Sequence, residues 1–278
     1  LKYLNSYIIV GEPDTRNLMV DTGFNLPESL EKVYSSLEEL DVHLDETDFF
    51  ITHFHADHCG LVGQLAADSS TVFMGKPDRD IFLSVLRQKN REVPLPSQLP
   101  QSQFHAAKIH GFPRDDLETV KDYHPTSVYP EFAPERVESV HSGDELNYGP
   151  YEFRCIETPG HTVGHTCLFL QNHQLLISGD HVLGDVTPNI SVFLEKYERL
   201  LIEYLQSLQK IRDMDIRLVL PGHRRTLDNP VQRIDELLDH HQGRLKEVLN
   251  NLNESGKTAY EISKLLSWDI DYDCWEGV

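Results

Sequence analysis

Four side chains able to bind a metal stand within six positions at His53-Phe54-His55-Ala56-Asp57-His58, directly after the largely apolar run Asp48-Phe49-Phe50-Ile51-Thr52. In an extended segment alternate side chains share a face, so His53 and His55 leave the end of a strand on one side and can hold a cation between them. Asp57 and His58 follow where the chain turns, and they can serve a second cation, since two-metal sites keep their ions about 3.5–4 Å apart. The competing reading is a solvated turn that happens to be rich in histidine.

Three further segments weigh against that reading. Thr158-Pro159-Gly160-His161-Thr162-Val163-Gly164-His165-Thr166 follows a strand-like run over 151–157, and it sets His161 in a Pro-Gly turn where it completes a three-histidine set with His53 and His55. Gln174-Leu175-Leu176-Ile177-Ser178-Gly179-Asp180 reads as an apolar strand ending in Gly-Asp, the context for a carboxylate that bridges two cations. Ile216-Arg217-Leu218-Val219-Leu220-Pro221-Gly222-His223 reads as a buried strand ending in Pro-Gly-His, which adds His223 to Asp57 and His58.

These four segments, in this order and together with Val20-Asp21-Thr22-Gly23, resemble the metallo-β-lactamase superfamily of dinuclear metallohydrolases. The resemblance runs from Asp21 to His223. It implies an α/β fold, a four-layer αββα sandwich with the metals at one edge in the cleft between two sheets. Carried over residue by residue, it implies that His53, His55 and His161 hold one metal, that Asp57, His58 and His223 hold the other, and that Asp180 touches both. Asp21 is implied to lie close beneath the metals, and His165 to hydrogen-bond rather than ligate. His181, directly after Asp180, has two readings: it faces the substrate, or it is buried and hydrogen-bonded. The other histidines show no ligand spacing.

The expected chemistry follows from these ligands. Two bridged cations share a water, whose pKa a metal can lower from 15.7 toward about 7, and the resulting hydroxide attacks a carbonyl carbon. The three-histidine metal polarises the carbonyl oxygen, the other stabilises the departing anion, and Asp180 relays a proton. Asp57 and Asp180 are thus catalytic carboxylates as well as ligands. An all-nitrogen-and-oxygen set suits two Zn2+, with iron or manganese accepted by the same donors. The resemblance implies a thioester, as in glyoxalase II, a lactone or another ester-like carbonyl as substrate. A phosphodiesterase or RNase and a mono-iron persulfide dioxygenase are the alternatives, and a scaffold that keeps metals only for folding is the non-enzymatic one. β-Lactam hydrolysis fits less well, because metallo-β-lactamases usually carry Cys or Ser where this chain has Asp180 and are exported.

Composition narrows the partners. A net charge of -20, from 45 acidic against 25 basic residues, opposes a nucleic-acid partner and favours a small-molecule substrate. No apolar run reaches the roughly 18 residues of a membrane span. Residues 1–10 read as a first strand rather than a signal peptide, although the chain opens at Leu1, as a trimmed or partial chain does. The four cysteines form no C-x-x-C pair, which is expected of a reduced cytoplasmic protein.

The expected organisation is one αββα domain over 1–230 and a helical C-terminal extension over 231–278. Hydrophobic spacing predicts strands near 7–10, 17–21 and 49–52, and helices near 27–40, 60–67, 79–89, 192–211 and 231–252. Thr258 followed by Glu261 is a capping-box pattern that opens a last helix. Residues 76–140, rich in proline and aromatics, read as an inserted cap, either a lid with Phe104, Phe112, Tyr123 or Tyr129 facing the substrate, or a peripheral arm able to form a homodimer.

Overall fold

The computed structural model describes residues 3–89, 111, 136–191, 199–252 and 256–268. The chain divides into two compact units, Leu1–Pro96 with His124–Ile234, and Ser97–Tyr123 with Asp235–Val278.

Two sheets make the centre of the first unit. One contains, in spatial order, β1 (Tyr7–Ile9), β2 (Asn17–Val20), β3 (Thr47–Ile51), β4 (Val72–Gly75) and β5 (Val137–Val140). β1 lies antiparallel on β2 and the other neighbours are parallel. Parallel strands need crossovers and are covered on both faces, so they read as nearly continuous apolar runs. β2 and β3 fit that description, being buried at every position. Helix α1 (Pro27–Glu39) makes the crossover between them.

Where the spacing predicts a helix over 60–67 the chain forms the shorter α3 (Val62–Leu65), and a separate short helix, α2 (Ala56–Cys59), precedes it. Gly60 sits between them, with the Asn25 amide and Gly23 carbonyl only 2.7 Å from where a Cβ would lie, so the chain bends to pack on the loop after β2. Helix α4 (Lys76–Lys89) follows β4 directly and buries Phe82, Leu83, Val85 and Leu86. The two ends of the 76–140 stretch are therefore core elements, α4 and β5. Residues 90–110 and 112–135, and with them the lid and its four aromatics, lie outside the described residues.

The second sheet runs β11-β10-β9-β8-β7-β6, built from β6 (Glu145–Tyr148), β7 (Tyr151–Glu157), β8 (Thr166–Leu170), β9 (Leu175–Gly179), β10 (Leu218–Pro221) and β11 (Leu227–Asp228). Only β9 and β10 pair in parallel, and helix α5 (Leu200–Arg212) supplies the crossover, burying Leu200, Tyr204, Leu208 and Ile211. The sheets meet through one core in which Leu18, Val20 and Phe50 of the first pack with Phe153, Leu168 and Ile177 of the second. This is the mixed α/β architecture of two sheets and helices that the sequence leads one to expect.

Helix α6 (Pro230–Asn251) crosses the division between the units after Ile234. In the second unit α7 (Ala259–Ser263) opens with the expected capping box: Thr258 Oγ1 accepts from the Glu261 amide at 3.2 Å, and the Glu261 carboxylate accepts from the Thr258 amide at 2.8 Å. Among the described residues no helix is long and apolar enough to cross a membrane. Cys59, Cys155 and Cys167 are free and buried.

Candidate metal centre

The chain leaves β2, β3, β7, β9 and β10 at one edge of the sandwich, and the residues just past these strand ends meet there. Backbone bonds lock the edge: the Asp21 amide donates to the Phe50 carbonyl at 2.9 Å, Thr22 to His58 at 2.7 Å, Gly222 to Gly179 at 2.8 Å, and Thr166 to Thr52 at 2.9 Å, the last joining the two sheets. Gly179 takes φ +48° to turn the chain out of β9, and a Cβ there would stand 2.6 Å from Thr52 Oγ1 and 2.8 Å from His165 Nε2. Only glycine fits that conformation and that space.

His53, His55 and His161 form one group of converging ligand atoms, and Asp57, His58 and His223 form another. In the first, His53 Nε2 and His161 Nε2 each lie 3.0 Å from His55 Nδ1. In the second, His223 Nε2 is 3.3 Å and His58 Nε2 3.8 Å from Asp57 Oδ2. Asp180 stands between them, with Oδ1 3.5 Å from His58 Nε2, and Oδ2 3.7 Å from His161 Nε2 and 3.6 Å from His223 Nε2. All seven residues expected to ligate come together.

Four of the five rings are turned by a partner on the far side. His58 Nδ1 donates to Asp21 Oδ2 at 2.7 Å, His161 Nδ1 to the Asn189 carbonyl at 2.6 Å, and His223 Nδ1 to the Tyr3 carbonyl at 2.6 Å. Thr52 gives its hydroxyl proton to Asp21 Oδ2 at 2.8 Å, so its oxygen accepts from His53 Nδ1 at 3.1 Å. These bonds place a proton on the outward Nδ1 and turn Nε2 of all four imidazoles toward the centre, where each ring in its neutral form offers a lone pair. Asp21 also takes the Thr52 amide at 2.8 Å and holds a left-handed φ of +58°, which Asp tolerates better than most residues. It lies behind the His58 ring, on the side away from the other ligands.

His165 is a hydrogen-bonding residue as well. Its Nε2 accepts the Asp180 amide at 3.2 Å, so Nδ1 carries the proton toward Thr158 Oγ1 at 2.8 Å. His181 is fully buried, edge-on to the Tyr204 ring at 5.4 Å. Sequence reasoning did not single out Thr52, Gly222, Asp78, or the main-chain acceptors at Tyr3 and Asn189. A carbonyl carries no side-chain signal, and a threonine after an apolar run looks like the end of a strand.

The donor set fits a cation. His58 Nε2, Asp180 Oδ1 and His223 Nε2 are buried, face the centre and have no hydrogen-bond partner among the described residues, where an unpaired buried polar atom is costly. Two nitrogens about 2.0–2.1 Å from one zinc lie roughly 2.8–3.4 Å apart for bond angles near 90–110°, and the 3.0 Å spacings fall in that range. Protonation agrees. Burial, reinforced by His161, pushes His55 down to about 3, and burial also lowers His53 and His161, so all three are neutral. Burial alone would raise Asp57, but the imidazoles of His223, 3.3 Å away, and His58 hold it down at about 2, and His58 lowers Asp180 in the same way.

His58 and His223 go the other way. Burial opposes their protonation, yet Asp21 and Asp180 lift His58 well above 6.5, and Asp57 and Asp180 lift His223 above it. Without a cation both imidazolium charges stabilise the fold below pH 6.5, and that contribution is lost as pH rises through the raised values. A cation must displace these protons. Zinc added at pH 6.5 is therefore expected to release protons and to bind more weakly as pH falls, read by calorimetry in buffers of different ionisation enthalpy. Binding heats independent of the buffer would contradict this.

Comparison with known proteins agrees with the fold. The family profile described as Metallo-beta-lactamase superfamily matches residues 2–223, and the chain belongs to that superfamily. A Beta-lactamase-like protein 2 homolog from Caenorhabditis elegans is 28% identical over 255 residues, covering 91% of this chain and 67% of the worm protein. An atrochrysone carboxyl ACP thioesterase from Aspergillus fumigatus is 36% identical over 96 residues, 34% of this chain and 28% of the fungal one. The crystal structure of a metallo-beta-lactamase family protein from Thermus thermophilus superposes with a TM-score of 0.76 at 26% identity, covering 96% of this chain and 85% of that one.

Proposed function

We propose that the chain is a two-metal hydrolase of a small thioester, lactone or related ester-like carbonyl compound, with His53, His55 and His161 holding one cation, Asp57, His58 and His223 the other, and Asp180 bridging. The observation that carries this reading is Asp180, whose two oxygens lie 3.5–3.7 Å from imidazole nitrogens of both groups. When bound, two cations supply Lewis acidity toward a carbonyl oxygen and a nucleophile drawn from water at neutral pH. Neutral His53, His55 and His161 and ionised Asp57 and Asp180 meet that charge as they stand, while His58 and His223 first give up their protons. Asp180 Oδ1, with no hydrogen-bond partner among the described residues, is the atom we assign to take a proton at the centre. His55 and Asp57 are the half-buried members of the set, so the substrate enters from their side.

The donors suit zinc first, and iron or manganese next. The partial match to a fungal thioesterase supports the thioester reading within this class. Free, buried cysteines fit a reducing compartment such as the cytoplasm. Zinc-loaded protein is expected to turn over at least one of acyl-glutathione, acyl-CoA and lactone substrates, and the His55→Ala, Asp57→Ala double variant to fall to background. If no member of the panel reacts faster with the parent than with that variant, the reading fails.

A further inference from the structure

Asp78, in the first turn of α4, is fully buried. Its Oδ2 accepts the Phe54 amide at 3.1 Å and the Thr162 hydroxyl at 2.5 Å, and its Oδ1 accepts the Gly164 amide at 2.6 Å. Phe54 lies between His53 and His55, and Thr162 directly follows His161. A single carboxylate thus fastens the loop that carries two imidazoles of the first group to the loop that carries the third. The approach is too close for alternatives: a Cβ on Gly164 would stand 2.8 Å from Asp78 Oδ1 and 2.9 Å from Asp78 Cβ.

We propose that Asp78 is a positioning residue for the cation held by His53, His55 and His161, setting the mutual distance of the two loops from which those rings converge; this rests on the two-metal reading above. Three donors meeting two carboxylate oxygens explain why an acid is buried here at all, since an unpaired one is expensive. Burial raises Asp78 to about 7, against the pull of Thr162, Gly164 and Phe54. The second group is held by other means, Asp21 behind His58 and the Tyr3 carbonyl behind His223, so the effect of Asp78 is confined to the first. Asparagine keeps the shape but offers one acceptor oxygen, and its NH2 must face an N–H or O–H donor. The sequence gives no hint, because Asp just inside a helix after Lys-Pro reads as an ordinary favourable first-turn acid.

The test uses full-length protein and zinc alone, with affinities measured by competition against a chromophoric chelator. In a His223→Ala background, which isolates the first group, Asp78→Asn is expected to weaken zinc binding about 10–100-fold. In a His161→Ala background, which isolates the second, it changes affinity less than about 3-fold. Thr162→Ala, which removes one of the three bonds, shifts the first group in the same direction by less, and serves if Asp78→Asn does not fold. Equal affinity for the first group with and without the carboxylate overturns the proposal, as does a parallel loss in both backgrounds, which marks general destabilisation. If the parent protein itself binds fewer than two zinc ions, the two-metal reading fails first, and that outcome is seen before any Asp78 variant is made.

Discussion

Asp180→Ala is expected to lower kcat/KM by more than about 1,000-fold, roughly 4 kcal/mol of transition-state stabilisation, while leaving the fold intact. The fold survives because the Asp180 backbone, which the substitution keeps, makes the structural contact by donating its amide to His165 Nε2. What disappears is the one carboxylate whose oxygens face His58 on one side and His161 and His223 on the other. Losing it removes a ligand from both groups at once. The cation count should fall from two per chain to one or none, with the far-ultraviolet circular dichroism unchanged. A variant that keeps both cations and acts within tenfold of the parent would show that Asp180 does not bridge.

Gly222→Ala should be nearly as damaging, although glycine 222 ligates nothing. A Cβ there would come within 2.7 Å of Asp180 Oδ1 and 2.8 Å of His58 Cε1, closer than real side chains approach. The backbone cannot retreat easily. Its amide is bonded to the Gly179 carbonyl at 2.8 Å, and its carbonyl takes the Asn5 amide at 2.7 Å. The strain therefore goes to Asp180 and His58, one residue from each kind of contact at the centre. Overpacking of this kind costs about 1–3 kcal/mol in stability, and displacing catalytic groups by about 1 Å can cost on the order of 100-fold in rate. Thermal unfolding, cation content and kcat/KM should all fall together. Parent-like values for the latter two would mean that the edge is looser than these distances imply.

Most of the centre is legible in the sequence because every ligand sits on a side chain of distinctive chemistry just past an apolar strand. His53, Asp180 and His223 each follow such a run, and the strands stop at Ile51, Gly179 and Pro221. The period-two pattern and the Pro-Gly and Ser-Gly turns carry that information locally. Asp78 does not announce itself, since its partners Phe54, Thr162 and Gly164 are distant in sequence and two of the three bonds go to backbone. Strand β4 escapes for a related reason: Val72-Phe73-Met74-Gly75 is short and runs straight into α4, so its apolar residues merge with a helix that follows. The helix expected over 60–67 is shorter at both ends, Val62–Leu65, and what Gly60 meets in space, the loop after β2, is not legible in the spacing. His181 shows the same limit. Adjacency to Asp180 leaves open which way its ring points, and the turn after β9 sends it into the core against Tyr204.

Crystals of zinc-loaded protein, with anomalous scattering recorded at the zinc edge, test the two-metal centre most directly. Two peaks per chain are expected, one enclosed by His53, His55 and His161, the other by Asp57, His58 and His223, with the Asp180 carboxylate between them. A single peak, no peak, or ions bound away from these seven side chains would contradict it.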